Sequence, residues 1–146
     1  MGLHAAFFAP HFPKVSFQPT EFEMGMFKSI NAYRGQQENI FEPVYVDISQ
    51  PLEIWQSSFN EKLLRDCQDS FDFMLNINMI HISPFTCTEG LFKNASKLLK
   101  PQGLLFTYGP YSHNYVLTPE SNISFDKSLR MQNSEWGIRD ICDLKK

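Results

Sequence analysis

The sequence has little excess charge of either sign and no long apolar run, and each shortage excludes a class of partner. Lys and Arg number 13 against 16 Asp and Glu, which gives a formal net charge of −3. No electrostatic attraction to nucleic acid or to an anionic membrane surface is therefore expected. The longest purely apolar run, 5–9, is far too short to span a bilayer or to form the core of a secretory signal. We expect neither a nucleic-acid nor a membrane partner.

Cysteine is also scarce. Cys67, Cys87 and Cys142 are odd in number, and their spacing fits neither a disulfide framework nor a zinc site. This usage is typical of a reducing compartment, so we predict a cytoplasmic location and no metal. The chain also lacks the HExxH pattern, the phosphate-binding GxxxxGK[ST] loop and a Ser–His–acid order, which removes support for zinc enzymes, P-loop proteins and serine hydrolases.

What the chain does have is enough apolar material, 42% of 146 residues, for the core of one domain covering 1–146. Strand-like runs alternate with helical segments, which is typical of an α/β fold with a buried parallel sheet between helices. The predicted strands are 14–18, 44–48, Phe71–Ile77 and 104–108; the predicted helices are 24–34, 52–64 and 88–100, the last capped by Thr88. We expect Leu91, Ala95 and Leu98 to face the sheet, a turn at 101–103, and no strand after 109.

Polar residues that follow the predicted strands are the first candidates for a site, because ligands of such sheets bind at the carboxyl ends of the strands. Glu21 follows the first strand and could accept hydrogen bonds from both ribose hydroxyls, or it could be a carboxylate that opens the next helix. Asp47 could accept from an adenine amino group or cap a turn. His81 could be a base or a core histidine. Tyr108 ends the fourth strand.

A series of short strings, in order along the chain, carries a family resemblance. The strings are Gly2-Leu-His-Ala-Ala, Gln18-Pro-Thr-Glu21, Val46-Asp47, Asn78-Met-Ile-His-Ile-Ser-Pro84, Cys87-Thr-Glu-Gly-Leu-Phe92, Leu98-Leu-Lys-Pro101, Thr107-Tyr-Gly-Pro-Tyr111, Ser121-Asn-Ile-Ser-Phe-Asp126 and Trp136-Gly-Ile-Arg-Asp140. Together they resemble the methyltransferase-like protein 26 family, a group of S-adenosylmethionine-dependent methyltransferases. The resemblance runs from about Gly2 to Asp140.

The resemblance implies a class I methyltransferase fold, a Rossmann-like doubly wound sheet, with S-adenosylmethionine as cofactor and an unknown acceptor substrate. The cofactor-binding residues it implies are Gly2, His4, Glu21, Asp47, Asn78 and Met79, with Glu21 on the ribose and Asp47 near the adenine. His81 and Tyr108 are the candidates for a catalytic base, which methyl transfer needs only when the acceptor must lose a proton.

The sequence departs from the family at both ends. The family carries a first strand and a Gly-x-Gly-Gln-His loop, of which only Gly2, Leu3 and His4 are present here, and it continues beyond Asp140 into a helix and two strands. We therefore expect a single partial domain, a truncated isoform or fragment that lacks the first and the last two strands, with weak or absent cofactor binding. A non-catalytic interaction module or pseudoenzyme fragment is the alternative, and an unrelated nucleotide binder is a weaker third reading.

Overall fold

The computed structural model describes residues 2–59 and 62–145. The chain divides into two compact units, the first consisting of Met1–Ile48 with Leu52–Asp66 and the second of Ser49–Pro51 with Cys67–Lys146. This division does not decide the number of domains, so the single domain over 1–146 stays a prediction. Within the described part of the chain, no helix is both long enough and apolar enough to cross a membrane.

The first unit consists of two helices and two small pairs of strands. The helices are α1 (Leu3–Phe8) and α2 (Phe27–Arg34), and the strands are β1 (Thr20–Glu21), β2 (Val44–Tyr45), β3 (Ser58–Phe59) and β4 (Lys62–Leu63). Short 3₁₀ turns lie at Ala9–His11, Met24–Met26, Leu52–Ile54 and Leu64–Asp66. β1 pairs with β2 in parallel, and β3 pairs with β4 antiparallel.

The parallel pairing predicted here exists, but its first strand is displaced. The segment 14–18 forms only a single bridge, from Phe17 to Ile40, and the strand proper is β1. Pro19 has no N–H to donate, so the pairing continues through its carbonyl, which accepts from Val44 N at 3.1 Å. The predicted strand 44–48 is likewise shortened to β2.

The predicted helix over 52–64 is wrong. The segment makes one 3₁₀ turn, Leu52–Ile54, and then the β3–β4 pair, which a hydrogen bond from Leu64 N to Ser57 O closes at 2.8 Å. Leu52, Trp55 and Leu64 are nevertheless all buried. Their spacing is compatible with a helix, but here the 3₁₀ turns and the residues that flank the β3–β4 pair bury the same side chains.

The second unit is centred on two long parallel strands and one helix. β5 (Phe71–Ile77) pairs in parallel with β6 (Leu99–Tyr108), and α3 (Phe85–Leu98) connects them after a 3₁₀ turn at Ile80–Ile82. Parallel pairing of these strands is confirmed. The buried face of α3 includes Leu91, Ala95 and Leu98 at 3–4% exposure, which confirms the predicted apolar face of this helix.

Three details of this region correct the predictions. α3 begins at Phe85, with Pro84 in the cap position, so Thr88 lies inside the first turns and is 2% exposed. The expected turn at 101–103 lies within β6, at an irregularity of the register between Phe71 and Phe73. The strands are also not buried on both faces: Leu104 and Phe106 are 57% and 50% exposed. α3 contacts the pair, but one side of it is left open.

The carboxyl-terminal part forms a second parallel pair, where no further strand was expected. β7 (Tyr111–Ser112) pairs with β8 (Arg139–Asp140), and α4 (Glu120–Gln132) lies between them in the chain, followed after β8 by α5 (Ile141–Leu144). Each strand has only two residues, too few to show a period in the sequence. Trp136 lies between α4 and β8.

Candidate functional site

In the first unit, Glu21 ends β1 and its carboxylate organises the following turn. Its Oε1 accepts hydrogen bonds from Phe22 N at 2.8 Å and Glu23 N at 3.0 Å. Its other oxygen, Oε2, has no partner among the residues that the structure describes. The turn role and a binding role therefore use different oxygens, and one acceptor atom is left for a ligand.

The other candidates of the first unit have different surroundings. Gly2 has a φ of 80°, and a β-carbon there would lie 2.9 Å from Ile30 Cα, so glycine is required for α1 to approach α2. His4 is exposed on α1, and Asp47 lies half-buried two residues beyond β2. The geometry gives Gly2 a packing role, which neither requires nor excludes contact with a ligand.

In the second unit, the carboxyl ends of β5 and β6 bring Asn78, His81 and Gly109 together. Asn78 N donates to Tyr108 O at 2.8 Å and extends the ladder by one bond. Its φ of 56° lies in the left-handed region, which asparagine tolerates better than most residues. A β-carbon placed on Gly109 would lie 3.4 Å from His81 Nδ1 and 3.5 Å from Asn78 Oδ1. Both polar atoms therefore border the space that Gly109 leaves open.

His81 is buried, at 6% exposure, and its ring meets the ring of Phe125 edge-on with 5.5 Å between centroids. Burial lowers the pKa of His81, and the positive charge of Arg139 lowers it further. Neither ring nitrogen makes a hydrogen bond to a residue in the described part of the chain. The imidazole is therefore neutral at pH 7, with a nitrogen able to accept a proton from a bound group.

The two remaining candidates of this unit take different positions. Met79 accepts from the Ser83 hydroxyl through both its backbone oxygen, at 3.1 Å, and its sulfur, at 3.2 Å, so its role here is to hold the turn before α3. Tyr108 contributes its carbonyl to Asn78, but its side chain is 70% exposed. Of the two candidate bases, His81 is the buried one, and it borders the space at Gly109 together with the exposed Asn78.

Arg139, on β8, belongs to the same group of residues and was not a candidate from the sequence. Its Nη2 donates to Ser83 O at 2.8 Å and to Glu135 O at 2.7 Å, and its guanidinium carbon lies 5.6 Å from the centre of the Phe85 ring. Burial and the charge of Arg130 lower the pKa of Arg139, and they outweigh Asp126 and Cys87, which raise it. The only sequence signal was the family string Trp136–Asp140 in which Arg139 lies.

Two backbone N–H groups of the loop between α4 and β8 fasten the loop to His81 and to Asp126 on α4. Gly137 N donates to His81 O at 3.0 Å, and Ile138 N donates to Asp126 Oδ1 at 2.7 Å. Asp126 also accepts from Arg130 Nε at 2.8 Å. Burial raises the pKa of Asp126, but the hydrogen bonds from Arg130 and Ile138 outweigh it, and the pKa is lowered. This loop therefore holds Arg139 beside His81.

β7 and β8 are joined through the buried carboxylate of Asp140. It accepts from the Ser112 hydroxyl at 2.6 Å, from Tyr115 N at 2.6 Å and from Cys142 N at 2.8 Å. Burial alone would raise the pKa of Asp140, but these hydrogen bonds lower it to about 2. All of its described partners are groups of the protein, so we interpret Asp140 as a structural residue.

Neither grouped metal-ligating side chains nor surface depressions add a further site among the described residues. Within 2–59 and 62–145, no three His, Cys, Asp or Glu side chains are grouped as metal ligands. Two surface depressions, of about 330 and 220 Å³, are lined by none of the eight residues predicted from the sequence. We refer to Asn78, His81, Gly109, Phe125 and Arg139 as the His81 cluster.

Comparisons with known proteins place this architecture. The profile of the family described as "Protein of unknown function (DUF938)" matches residues 1–146. A solved structure from Galdieria sulphuraria, described as a candidate sarcosine dimethylglycine methyltransferase, matches with a TM-score of 0.62 and 22% identity over 92% of this chain and 44% of its own. The PH0226 protein of Pyrococcus horikoshii OT3 matches with a TM-score of 0.61 and 15% identity over 99% of this chain and 66% of its own.

These similarities establish a methyltransferase-like α/β fold. The chain spans less than half the length of the Galdieria protein and about two thirds of the Pyrococcus protein. The fold class predicted from the sequence is confirmed at this level. The absence of particular strands and the roles of individual site residues stay predictions.

Proposed function

The chain belongs to the DUF938 family, and we propose that it is an S-adenosylmethionine-dependent methyltransferase-like protein. The observation that carries the proposal is the His81 cluster at the carboxyl ends of β5 and β6, in a chain with a methyltransferase-like fold. Ligands of doubly wound sheets bind at this end of the strands. Closer kinship with methyltransferase-like protein 26 and a cytoplasmic location are part of the same proposal.

The residues of the first unit fit an adenosine group in part. Glu21 keeps Oε2 available as an acceptor, which suits ribose hydroxyls, and Asp47 is proposed for the adenine. Because Oε1 already accepts two backbone N–H groups, Glu21 offers a ligand half of its carboxylate. We therefore expect weak cofactor binding.

In the second unit, the proposed roles are orientation of the acceptor and removal of its proton. S-adenosylmethionine, when bound, supplies a methyl group on a positively charged sulfur, which mainly requires the acceptor to be held in line. Asn78 Oδ1 would accept a hydrogen bond from the acceptor. His81, neutral at pH 7, would take its proton at Nδ1, the nitrogen that borders Gly109.

The proposal predicts which backbone amides respond to the cofactor. In two-dimensional NMR spectra, S-adenosylmethionine should shift the amide signals of Phe22 and Glu23, which are bonded to Glu21, and that of Asn78. ATP at the same concentration is the control for any nucleotide binder. The proposal is contradicted if S-adenosylmethionine leaves all three signals in place, or if ATP moves them equally.

One observation favours the alternative, a non-catalytic interaction module. The register aligns Leu75 with Phe106 and Ile77 with Tyr108, so these side chains share one face of the β5–β6 pair. Leu75, Phe106 and Tyr108 are 43%, 50% and 70% exposed. An open apolar face of this kind is typical of an interaction surface. Self-association that Phe106→Ser abolishes in sedimentation velocity would support this alternative.

A further inference from the structure

The guanidinium of Arg139 is half-buried, and only part of it is hydrogen-bonded to the protein. Nη2 donates to the carbonyls of Ser83 and Glu135, whereas Nε is buried and has no hydrogen-bond partner among the described residues. Nη1 makes no hydrogen bond to a described residue, and it is not among the fully buried unpaired atoms. Arg139 also forms no ion pair with a carboxylate in the described part of the chain. It is therefore a half-buried cation with an available donor.

The charges around Arg139 leave an excess of positive potential. Arg130 adds a second cation, and its charge lowers the pKa of Arg139. Asp126 and Cys87 act in the opposite direction and raise the pKa of Arg139. The oxygens of Asp126 are, however, hydrogen-bonded to Arg130 and to Ile138 N and not to Arg139. The Arg139 guanidinium further lies over the ring of Phe85, the first residue of α3, in a favourable cation–π contact that uses none of its N–H groups. A bound anion would offset the excess positive charge.

We propose that Arg139 binds an oxyanion, a carboxylate or phosphate group of a small molecule, through Nη1 and next to His81. Arginine binds such groups with charge-assisted hydrogen bonds, which are about twice as strong as neutral ones. The rings of Phe85 and Phe125 give the surroundings an apolar character, so the anion is the group that orients the ligand.

The oxyanion site itself does not depend on methyl transfer. The inference that the bound oxyanion belongs to the methyl acceptor rests on the proposed function. Under it, the acceptor carries a carboxylate or phosphate at Arg139 and presents its nucleophile to His81.

The test follows the imidazole of His81 by NMR as pH is varied, at constant ionic strength. Sodium acetate and inorganic phosphate are the probes, and sodium chloride is the reference. The charge of Arg139 lowers the pKa of His81, and a bound anion offsets that charge. The midpoint of the His81 titration should therefore rise with anion concentration and reach a plateau. If only acetate raises the midpoint, the site binds a carboxylate, and if only phosphate raises it, the site binds a phosphate group. A midpoint that neither anion moves beyond the chloride reference overturns the proposal.

Variants and a second signal separate the site from general charge effects. Arg139→Met should weaken the anion effect at least tenfold, whereas Lys100→Met, which removes a cation on β6 of the same unit, should leave it unchanged. An equal loss in both variants overturns the proposal. Should Arg139→Met fail to fold, the side-chain ¹⁵N signals of Arg139 in the parent chain provide the test. At least one of the two anions must shift these signals saturably, and signals that neither anion moves overturn the proposal. Neither readout requires S-adenosylmethionine, so a failure here is distinct from a failure of the proposed function.

Discussion

Glu21 has two separable roles in this account, and two substitutions distinguish them. Oε1 accepts from Phe22 N and Glu23 N, and Oε2 is left for the ribose. Glu21→Ala removes both oxygens. Glu21→Gln keeps one acceptor oxygen for the turn and replaces the other with an amide nitrogen. The glutamine variant should therefore keep the fold and lose binding.

The magnitudes follow from the hydrogen bonds involved. Loss of a side chain that caps local N–H groups costs about 1 kcal/mol of unfolding free energy, which we expect for Glu21→Ala. Glu21→Gln should stay within ~0.5 kcal/mol of the parent. Exchange of a charged acceptor for a neutral group costs about 1.4 kcal/mol of binding free energy, or about tenfold in the dissociation constant.

Urea denaturation gives the free energy of unfolding, and calorimetric titration with S-adenosylmethionine gives the dissociation constant. Glu23→Gln is the matched control, because it changes an exposed neighbouring carboxylate that makes no cap hydrogen bond. If Glu21→Gln binds the cofactor as tightly as the parent while Glu21→Ala is merely less stable, Glu21 is a turn residue and the ribose assignment is refuted.

Three further predictions concern the second unit. The buried Thr88 hydroxyl has no hydrogen-bond partner in the part of the chain that the structure describes. Thr88→Val should therefore raise the free energy of unfolding, measured by urea denaturation, by about 1–2 kcal/mol. A decrease would show that the hydroxyl is bonded. The pKa of Asp140 is about 2 in the folded chain against 3.8 ordinarily. Its contribution to stability is therefore complete above about pH 4 and is lost as pH falls through 2. In an acid titration, the stability of Asp140→Asn should decline less than that of the parent chain, and an identical decline would contradict this. Gly137 has a φ of 145°, and a β-carbon there would lie 2.5 Å from Arg130 Nη2 and 2.9 Å from Asp126 Oδ1. Gly137→Ala should therefore destabilise the chain by ~1–3 kcal/mol, measured by thermal melting. An unchanged melting temperature would contradict the inferred strain.

The features predictable from sequence were those fixed by local pattern. The run Phe71–Ile77 is long and nearly continuous in apolar residues, and the strand has these bounds in the structure. α3 was recognised by the spacing of Leu91, Ala95 and Leu98. The segment 52–64 was misassigned because its apolar spacing fits a helix and a hairpin alike, and pairing between strands decided the outcome.

The site was predictable only in part, for a related reason. Asn78 and His81 lie just after a recognisable strand, so their position at its carboxyl end could be inferred. Arg139 reaches this place through a hydrogen bond to Ser83, 56 residues earlier in the chain. No local pattern carries that information. Likewise, the sequence does not predict that only one carboxylate oxygen of Glu21 accepts hydrogen bonds, because this depends on the orientation of its side chain.

The affinity of the 146-residue chain for S-adenosylmethionine tests the central claim most directly. Calorimetric titration should show saturable binding with a dissociation constant between about 1 μM and 1 mM, which corresponds to a binding free energy of ~4–8 kcal/mol. This range reflects a Glu21 carboxylate that has only one oxygen available. ATP should bind at least tenfold more weakly. Absence of saturable S-adenosylmethionine binding up to about 1 mM, or equal affinity for ATP, would contradict the account.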